Sequence, residues 1–284
     1  MTRQAVNYSD WIGSQEHRND DLTASPVQGV LNVLDDVTTM LGNGDRLPPL
    51  WHWFFFLPRA PMAQIGPDGH PKRGAFLPPV VLPRRMFAGA RMRFHSSLII
   101  GQPATRKGEI LTVQEKQGGT GTLVFVTVRY QIMQGGQLCV EEEQDIVYRE
   151  PGGPVPAPTP IADGPCDVAN AWVQTITPTP VLLFRFSAIT FNSHRIHYDR
   201  PYATQEEHYP GLVVHGPLVA TLLMDLVRRN TDRTVVGYTF RGRAPLFDMH
   251  PFHLIGRSSS DKVELEAQGP DGTPCMTATA ALGC

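Results

Sequence analysis

Residues 150–165 read Glu-Pro-Gly-Gly-Pro-Val-Pro-Ala-Pro-Thr-Pro-Ile-Ala-Asp-Gly-Pro. Proline fixes φ and withholds a backbone donor, so neither a helix interior nor a central strand continues through such a stretch. It divides the 284-residue chain into segments 1–150 and 166–284, with 151–165 as linker. Each segment is long enough to bury a core of its own, and their similar lengths make an internal repeat the first thing to seek.

A weak repeat is present. Arg91 to Gly101 aligns with Thr239 to Met249, setting Arg93 over Arg241 and Leu98 over Leu246. Strand patterns follow in both halves. Leu123 to Ile132 and Leu138 to Tyr148 flank the turn Gln134-Gly135-Gly136-Gln137, and Val263 to Ala267 and Cys275 to Leu282 flank Gly269-Pro270-Asp271-Gly272. Glycine supplies the positive φ that such hairpin turns demand. Two copies of one α+β unit is the economical architecture.

Helices are fewer. Pro210 to Arg229 carries Leu212, Val213, Leu218, Val219, Leu222, Leu223, Leu226 and Val227 at helical spacing, apolar around most of the circumference, as expected for a buried helix. The pattern predicts an antiparallel sheet wrapped around this helix, with Pro26 to Leu41 as the start of a degenerate equivalent in the first half. Residues 42–88, rich in proline and aromatics, show no clear period.

Charged residues make up 18%, hydrophobic ones 41%, and the net charge is −2. With basic residues scattered, this is a globular composition and not that of a nucleic-acid binder. The segment Met1 to Asp20 lacks the apolar stretch of a signal peptide, and no run approaches the ~20 apolar residues of a membrane span. A cytoplasmic protein without a membrane partner is expected. Cys139, Cys166, Cys275 and Cys284 have no Cys-x-x-Cys spacing, which suits structural thiols. His194/His197 and His250/His253 are each three apart but lack the Glu and the helix of a zinc-protease motif, so no metal is expected. Nucleophile elbows, phosphate loops and dinucleotide glycine motifs are missing, so no nucleotide cofactor is expected.

The densest polar cluster lies in Phe186 to Asp199, where Asn192, Ser193, His194 and Arg195 follow the apolar run Val181 to Phe186. We read that run as a short strand leading into a polar turn. His197 is the candidate general base, because buried polar groups without partners are costly and a turn at an element's end is where catalytic groups collect. Gly211 and Gly216 bracket the start of the long helix, with His215 and Pro217 beside it. Backbone N–H groups there favour an oxygen that gains negative charge, and Gly216 lets it approach closely.

These segments resemble the MaoC-like hydratases and dehydratases. Gly-Leu-Val-Val-His-Gly-Pro-Leu before a buried helix looks like their hot-dog helix start. Phe186 to His197 resembles their motif Tyr-x-x-Leu-Ser-Gly-Asp-x-Asn-Pro-Ile-His: Thr190 falls on the Ser, Phe191 on the Gly, Asn192 on the Asp, His194 on the Asn and Arg195 on the Pro, while Ile196 and His197 are identical. The variant Thr-Phe-Asn-x-His-Arg-Ile-His-Tyr-Asp is similar to the subgroup of mitochondrial-type 3-hydroxyacyl-thioester dehydratases and mesaconyl-CoA and itaconyl-CoA hydratases. Pro49 to Phe56, Asp68 to Gly74 and Pro83 to Gly89 look like that subgroup's N-terminal domain.

The resemblance implies a double hot dog, two antiparallel sheets each wrapped around a helix, with the second copy catalytic and the first shaping the acyl pocket. It implies a hydro-lyase whose thioester carbonyl rests on Gly216 and whose base is His197, with Asn192 positioning the water because an amide cannot take the proton. His194, His215, Arg195, Arg84 and Arg85 are candidates for substrate contact, and Arg195, Arg84, Arg85, Arg241 and Arg243 are candidates for anionic parts of the ligand, either coenzyme A phosphates or the free carboxyl of a dicarboxylate. Asp199 or a residue of the first half is the candidate to compensate for the missing acid. The expected reaction hydrates mesaconyl-CoA or itaconyl-CoA to citramalyl-CoA. The alternatives are a 3-hydroxyacyl-thioester dehydratase acting on acyl carrier protein or coenzyme A, and a non-catalytic acyl-CoA-binding hot-dog protein, with a thioesterase as a weaker reading. Coenzyme A is expected only as part of the substrate, and a monomer or a homodimer are both compatible with a double hot dog.

Overall fold

Alternation of buried and partly exposed residues, clearest at Val124, Val126 and Val128, makes strand the dominant regular structure of this chain. The computed structural model describes residues 6–119, 121–161, 164–165 and 168–283. Its strands are β1 (Gln15–Asp20), β2 (Arg84–Phe94), β3 (Ala104–Gly118), β4 (Gly121–Gln134), β5 (Gln137–Arg149), β6 (Trp172–Ile176), β7 (Val235–Gly242), β8 (Phe252–Ser258), β9 (Lys262–Gln268) and β10 (Pro274–Leu282). Helices α1 (Ala24–Val33), α2 (Pro180–Ile189) and α3 (Gly216–Asn230) accompany them.

The strands form one antiparallel 10-stranded sheet in the order β1-β3-β4-β5-β2-β7-β10-β9-β8-β6. Read outward from the central β2–β7 pair, the two halves have the same order. The sequence repeat marks the local two-fold, since Arg91, which aligns with Thr239, also pairs with it. Backbone bonds repeat as well. His95 and Ser96 N–H donate to the Cys139 carbonyl, and Arg243 and Ala244 N–H donate to that of Cys275. Leu47 N–H donates to Leu98 O as Val214 N–H does to Leu246 O. This is a double hot dog of the α+β class.

The copies differ where it matters for a pocket. Val214 leads directly into α3, whose residues from Leu218 to Val227 are buried. Its counterpart Leu47 leads into Pro48-Pro49, then Leu50 at φ 71, and only the 3-10 turn Trp51–Phe54 follows. Two prolines and a left-handed residue are incompatible with helix propagation. The central helix therefore exists once, and the aromatic segment takes the place of the second. Trp53 Nε1 and His52 Nε2 both reach the buried Glu142 carboxylate at 2.9 Å, which ties this segment to β5.

Three expectations are corrected. The long helix starts at Gly216, not Pro210. Residues 210–215 are non-helical, Val213 bridges Phe247, and His215 caps the helix in an extended conformation before Pro217. The apolar run Val181 to Phe186 is helix α2, not strand, because Thr179 accepts a hydrogen bond from Leu182 N–H and Pro180 occupies the first turn. The helix expected over Pro26 to Leu41 is Ala24–Val33, and it corresponds to α2 instead of α3. It ends before Asp35, which adopts φ 52.

Between β5 and β6 the described residues are neither helix nor strand, and they lie against the second half through Val155 N–H to His208 O and Ile161 N–H to Pro270 O. Cys139 and Cys275 are buried free thiols, while Cys166 and Cys284 lie outside the described residues. No described helix is long and apolar enough to cross a membrane.

Candidate active site

Helix α2 delivers the polar cluster. At its end Asn192 N–H returns to the Ser187 carbonyl at 2.8 Å, and the Asn192 side-chain oxygen accepts from His194 N–H at 3.0 Å. The turn so capped runs into the 3-10 turn Arg195–His197. Ile196 packs with Val213 and Phe247, and Val213 N–H donates to the Ile196 carbonyl. The non-helical segment before α3 is thereby laced to the His197 turn.

That lacing fixes a tautomer. His197 Nδ1 lies 2.7 Å from the Val213 carbonyl oxygen, an acceptor only, so Nδ1 carries the proton and Nε2 keeps its lone pair. His197 is buried, and burial lowers its pKa to about 4 against the opposing effect of the Val213 bond. His215, fully buried, stacks on it with ring centroids 3.6 Å apart. His215 Nε2 meets Ser187 Oγ at 2.8 Å and Nδ1 has no partner. Burial pushes the His215 pKa well below the usual imidazole value.

The first intrahelical bond of α3 runs from Val219 N–H to the His215 carbonyl, so the N–H of Gly216 precedes the hydrogen-bonded helix and points out of its positive end. A Cβ built at Gly216 would meet nothing nearer than the Phe87 carbonyl oxygen at 3.8 Å. The fold thus tolerates a side chain there, and its absence leaves the N–H open.

The first half contributes a pair to which the sequence assigned no role. His70 Nδ1 lies 3.1 Å from Asp68 Oδ2, and the His70 ring stands 4.0 Å from that of His194, centroid to centroid. His194 in turn meets His197 edge-on at 5.3 Å. The Asp68 turn is clamped to the His194 turn by Arg195 N–H to Asp68 O, Arg195 Nη1 to Pro67 O and Ser193 Oγ to Gly69 O. Gly69 has φ +90, and a Cβ on it would stand 1.8 Å from the Ser193 carbonyl oxygen. Burial depresses both His70 and His194. The Asp68 carboxyl falls below its ordinary value, because His70 outweighs the opposing effect of burial. Asp68, His70 and His194 bring three ligand-type atoms within 4.8 Å of one another, a set able to hold a cation. The only local signals for this pair were its short Asp-Gly-His spacing and the turn glycine. Contact across 124 residues is set by the fold.

The remaining candidates separate. His194, His197, His215 and Gly216 come together, with Asn192 behind them. Asp199 is committed to Arg195 through an ion pair at 2.8 Å, and the Arg195 guanidinium also lies over the Tyr202 ring. Arg84 is buried away from the histidines, paired with Glu207 at 2.9 Å. Arg85 is half-buried, and its guanidinium has no hydrogen-bond or ion-pair partner among the described residues. Its charge acts on His70 and His194. Arg241 and Arg243 are exposed at the end of β7.

Comparison with known proteins identifies the family. Residues 50–248 match the family described as hydroxyacyl-thioester dehydratase type 2. The chain is 57% identical over 279 residues, 98% of its length and 99% of the other, to mesaconyl-C(4)-CoA hydratase of Chloroflexus aurantiacus. It is 27% identical over 243 residues to the mitochondrial hydroxyacyl-thioester dehydratase type 2 of Schizosaccharomyces pombe, covering 76% of this chain and 79% of that one. Among solved structures, HtdX of Mycobacterium tuberculosis superposes with TM-score 0.67 at 16% identity, covering 94% of this chain and 98% of that one. A second protein of that organism, described as a double hotdog fold, superposes at 0.58 with 13% identity and 98% coverage of both chains. With the family matched over most of the chain and a relative this similar along its whole length, the chain belongs to the MaoC-like hydroxyacyl-thioester dehydratase type 2 family.

Proposed function

We propose that this chain is a hydro-lyase that adds water across the double bond of mesaconyl-C4-CoA to give citramalyl-CoA. The observation that carries the reading is the unprotonated Nε2 of His197, oriented by Val213, on a ring stacked against His215, the residue that precedes the free N–H of Gly216 at the start of α3. The 57% identity to a mesaconyl-C(4)-CoA hydratase supports the substrate.

In this reading residues 166–284 supply the catalytic groups and residues 1–150 supply the wall of the acyl pocket. The thioester carbonyl oxygen accepts a hydrogen bond from Gly216 N–H. His197 Nε2 takes a proton from water as the water oxygen bonds to the β-carbon, and the π electrons move to the carbonyl oxygen as an enolate. The imidazolium then returns the proton to the α-carbon, so one group acts as base and acid. The low pKa of free His197 keeps it ready to accept, and the enolate's negative charge stabilises the imidazolium while it exists. Asn192 orients His194 through its backbone N–H, and Asp68 orients His70. This acid–base chemistry uses coenzyme A only as part of the substrate.

The test is to mix purified protein with mesaconyl-C4-CoA, follow loss of the conjugated enoyl-thioester absorbance, and identify citramalyl-CoA by mass. Turnover of a 3-hydroxyacyl thioester with none of mesaconyl-C4-CoA would transfer the assignment to the dehydratase reaction, the activity named for the Schizosaccharomyces pombe relative.

A further inference from the structure

A half-buried guanidinium without an anion beside an active site is an incomplete interaction, since desolvating a charge is costly unless it is paired. The neighbouring arginines have found partners. Arg84 pairs with Glu207, Arg195 with Asp199, and Arg73 donates to the carbonyls of Val80, Leu82 and Pro83. Arg85 has none among the described residues.

Its position along β2 is informative. The register shift in β2 falls after Phe87, so Arg85 and Phe87 lie two residues apart on one face. The Phe87 ring packs against Trp53 and Phe240 in the core, on the side where α3 lies. The Phe87 carbonyl oxygen is the atom nearest to where a Gly216 Cβ would stand. Arg85 therefore leaves the strand about 7 Å along β2 from Phe87, the residue that meets the helix start, which is the advance of two strand residues. Directly opposite Arg85 in register, on the same face, is Tyr148. Its side chain is fully buried and its hydroxyl has no partner. Two donors without partners, one half-buried and one fully buried beneath the Arg73 guanidinium, thus stand side by side on this face of the sheet.

We propose that Arg85, with the Tyr148 hydroxyl, forms the subsite for the free carboxylate of a dicarboxylic acyl thioester. The inference rests on the hydratase reading and specifies how it selects substrate. A thioester on C4 of mesaconate leaves the C1 carboxylate at the far end of a chain roughly 4 Å long, on bonds near 1.5 Å. With the thioester oxygen on Gly216, that carboxylate points toward β2. A guanidinium binds carboxylate with two parallel N–H donors. A monocarboxylic acyl group of the same length leaves both donors unpaired and is selected against.

Calorimetric titration with succinyl-CoA and butyryl-CoA, saturated four-carbon thioesters with and without the terminal carboxylate, tests the subsite without requiring turnover. The wild-type protein should bind succinyl-CoA at least about tenfold more tightly, the scale of one charge-assisted pair. Arg85→Gln should bring the ratio close to one while butyryl-CoA still binds, and Arg85→Lys should restore part of the preference. An unchanged ratio in Arg85→Gln, or loss of both ligands in Arg85→Gln and Arg85→Lys alike, overturns the subsite. Absence of mesaconyl-C4-CoA turnover in a wild-type protein that does prefer succinyl-CoA would count against the reaction alone.

Discussion

The imidazoles of His197 and His215 stack with centroids 3.6 Å apart and planes 19° apart. Both pKa values are lowered by burial, so the pair is neutral at physiological pH. Two cations at that separation would repel strongly, so only one ring at a time takes a proton. His197 is the ring whose tautomer is fixed, because its Nδ1 proton is held by the Val213 carbonyl and its Nε2 lone pair is left to accept. The stack holds a base ready while preventing its premature protonation.

Removing that base should be costly. His197→Ala should lower kcat by two orders of magnitude or more, the usual size of a general acid–base contribution. Turnover of mesaconyl-C4-CoA by the variant, compared with binding of succinyl-CoA, separates chemistry from fold. Near-normal kcat would remove His197 from the mechanism.

The same buried imidazoles set the acid limit of the fold. His70, His194, His197 and His215 all have pKa values below the unfolded value near 6.5. Between the two values the unfolded chain binds more protons than the folded one, so stability falls as pH falls. The expected window opens below pH 6.5 and, for His197, closes near pH 4. Denaturant midpoints measured from pH 7.5 down to pH 4.5 should decline most steeply below pH 6.5. Replacing His194 with Gln should flatten that slope, and an identical slope would show that buried histidines do not set it.

The amount of this fold legible in the sequence follows from how local each signal is. The hairpins around Gly135-Gly136 and Gly269 to Gly272 declare themselves through turn residues, and α3 through its apolar periodicity. Residues Val181 to Phe186 do not, because a short uniformly apolar run has no period and its class is decided by Thr179 and Pro180. His197 and Gly216 lie inside motifs that can be read along the chain. The Asp68–His70 pair and the free state of Arg85 were not legible, since both depend on which residues of the first half meet the second.

The meeting of the halves at Gly69 can be broken selectively. With φ +90 and the Ser193 carbonyl oxygen 1.8 Å from an added Cβ, Gly69→Ala forces the Asp68–His70 turn away from His194. The cost should be on the order of 2 kcal/mol from backbone strain and overlap, and kcat should fall as His70 retreats. Thermal unfolding monitored by circular dichroism, together with the turnover assay, checks both effects. A variant as stable as the parent would mean that the turn has room the structure does not show.

Gly216 makes the opposite case, because nothing in the fold demands glycine there. A Cβ would approach only the Phe87 carbonyl oxygen at an ordinary 3.8 Å, and alanine has the higher helix propensity. Gly216→Ala should therefore unfold at the same temperature as the parent or slightly above it. An oxygen resting on the Gly216 N–H would nevertheless meet the new methyl group, so kcat/KM for mesaconyl-C4-CoA should fall by about tenfold or more, the scale of a displaced oxyanion-hole contact. A stable but impaired variant assigns the helix start to catalysis. Full activity with unchanged stability would mean that the thioester oxygen is held elsewhere.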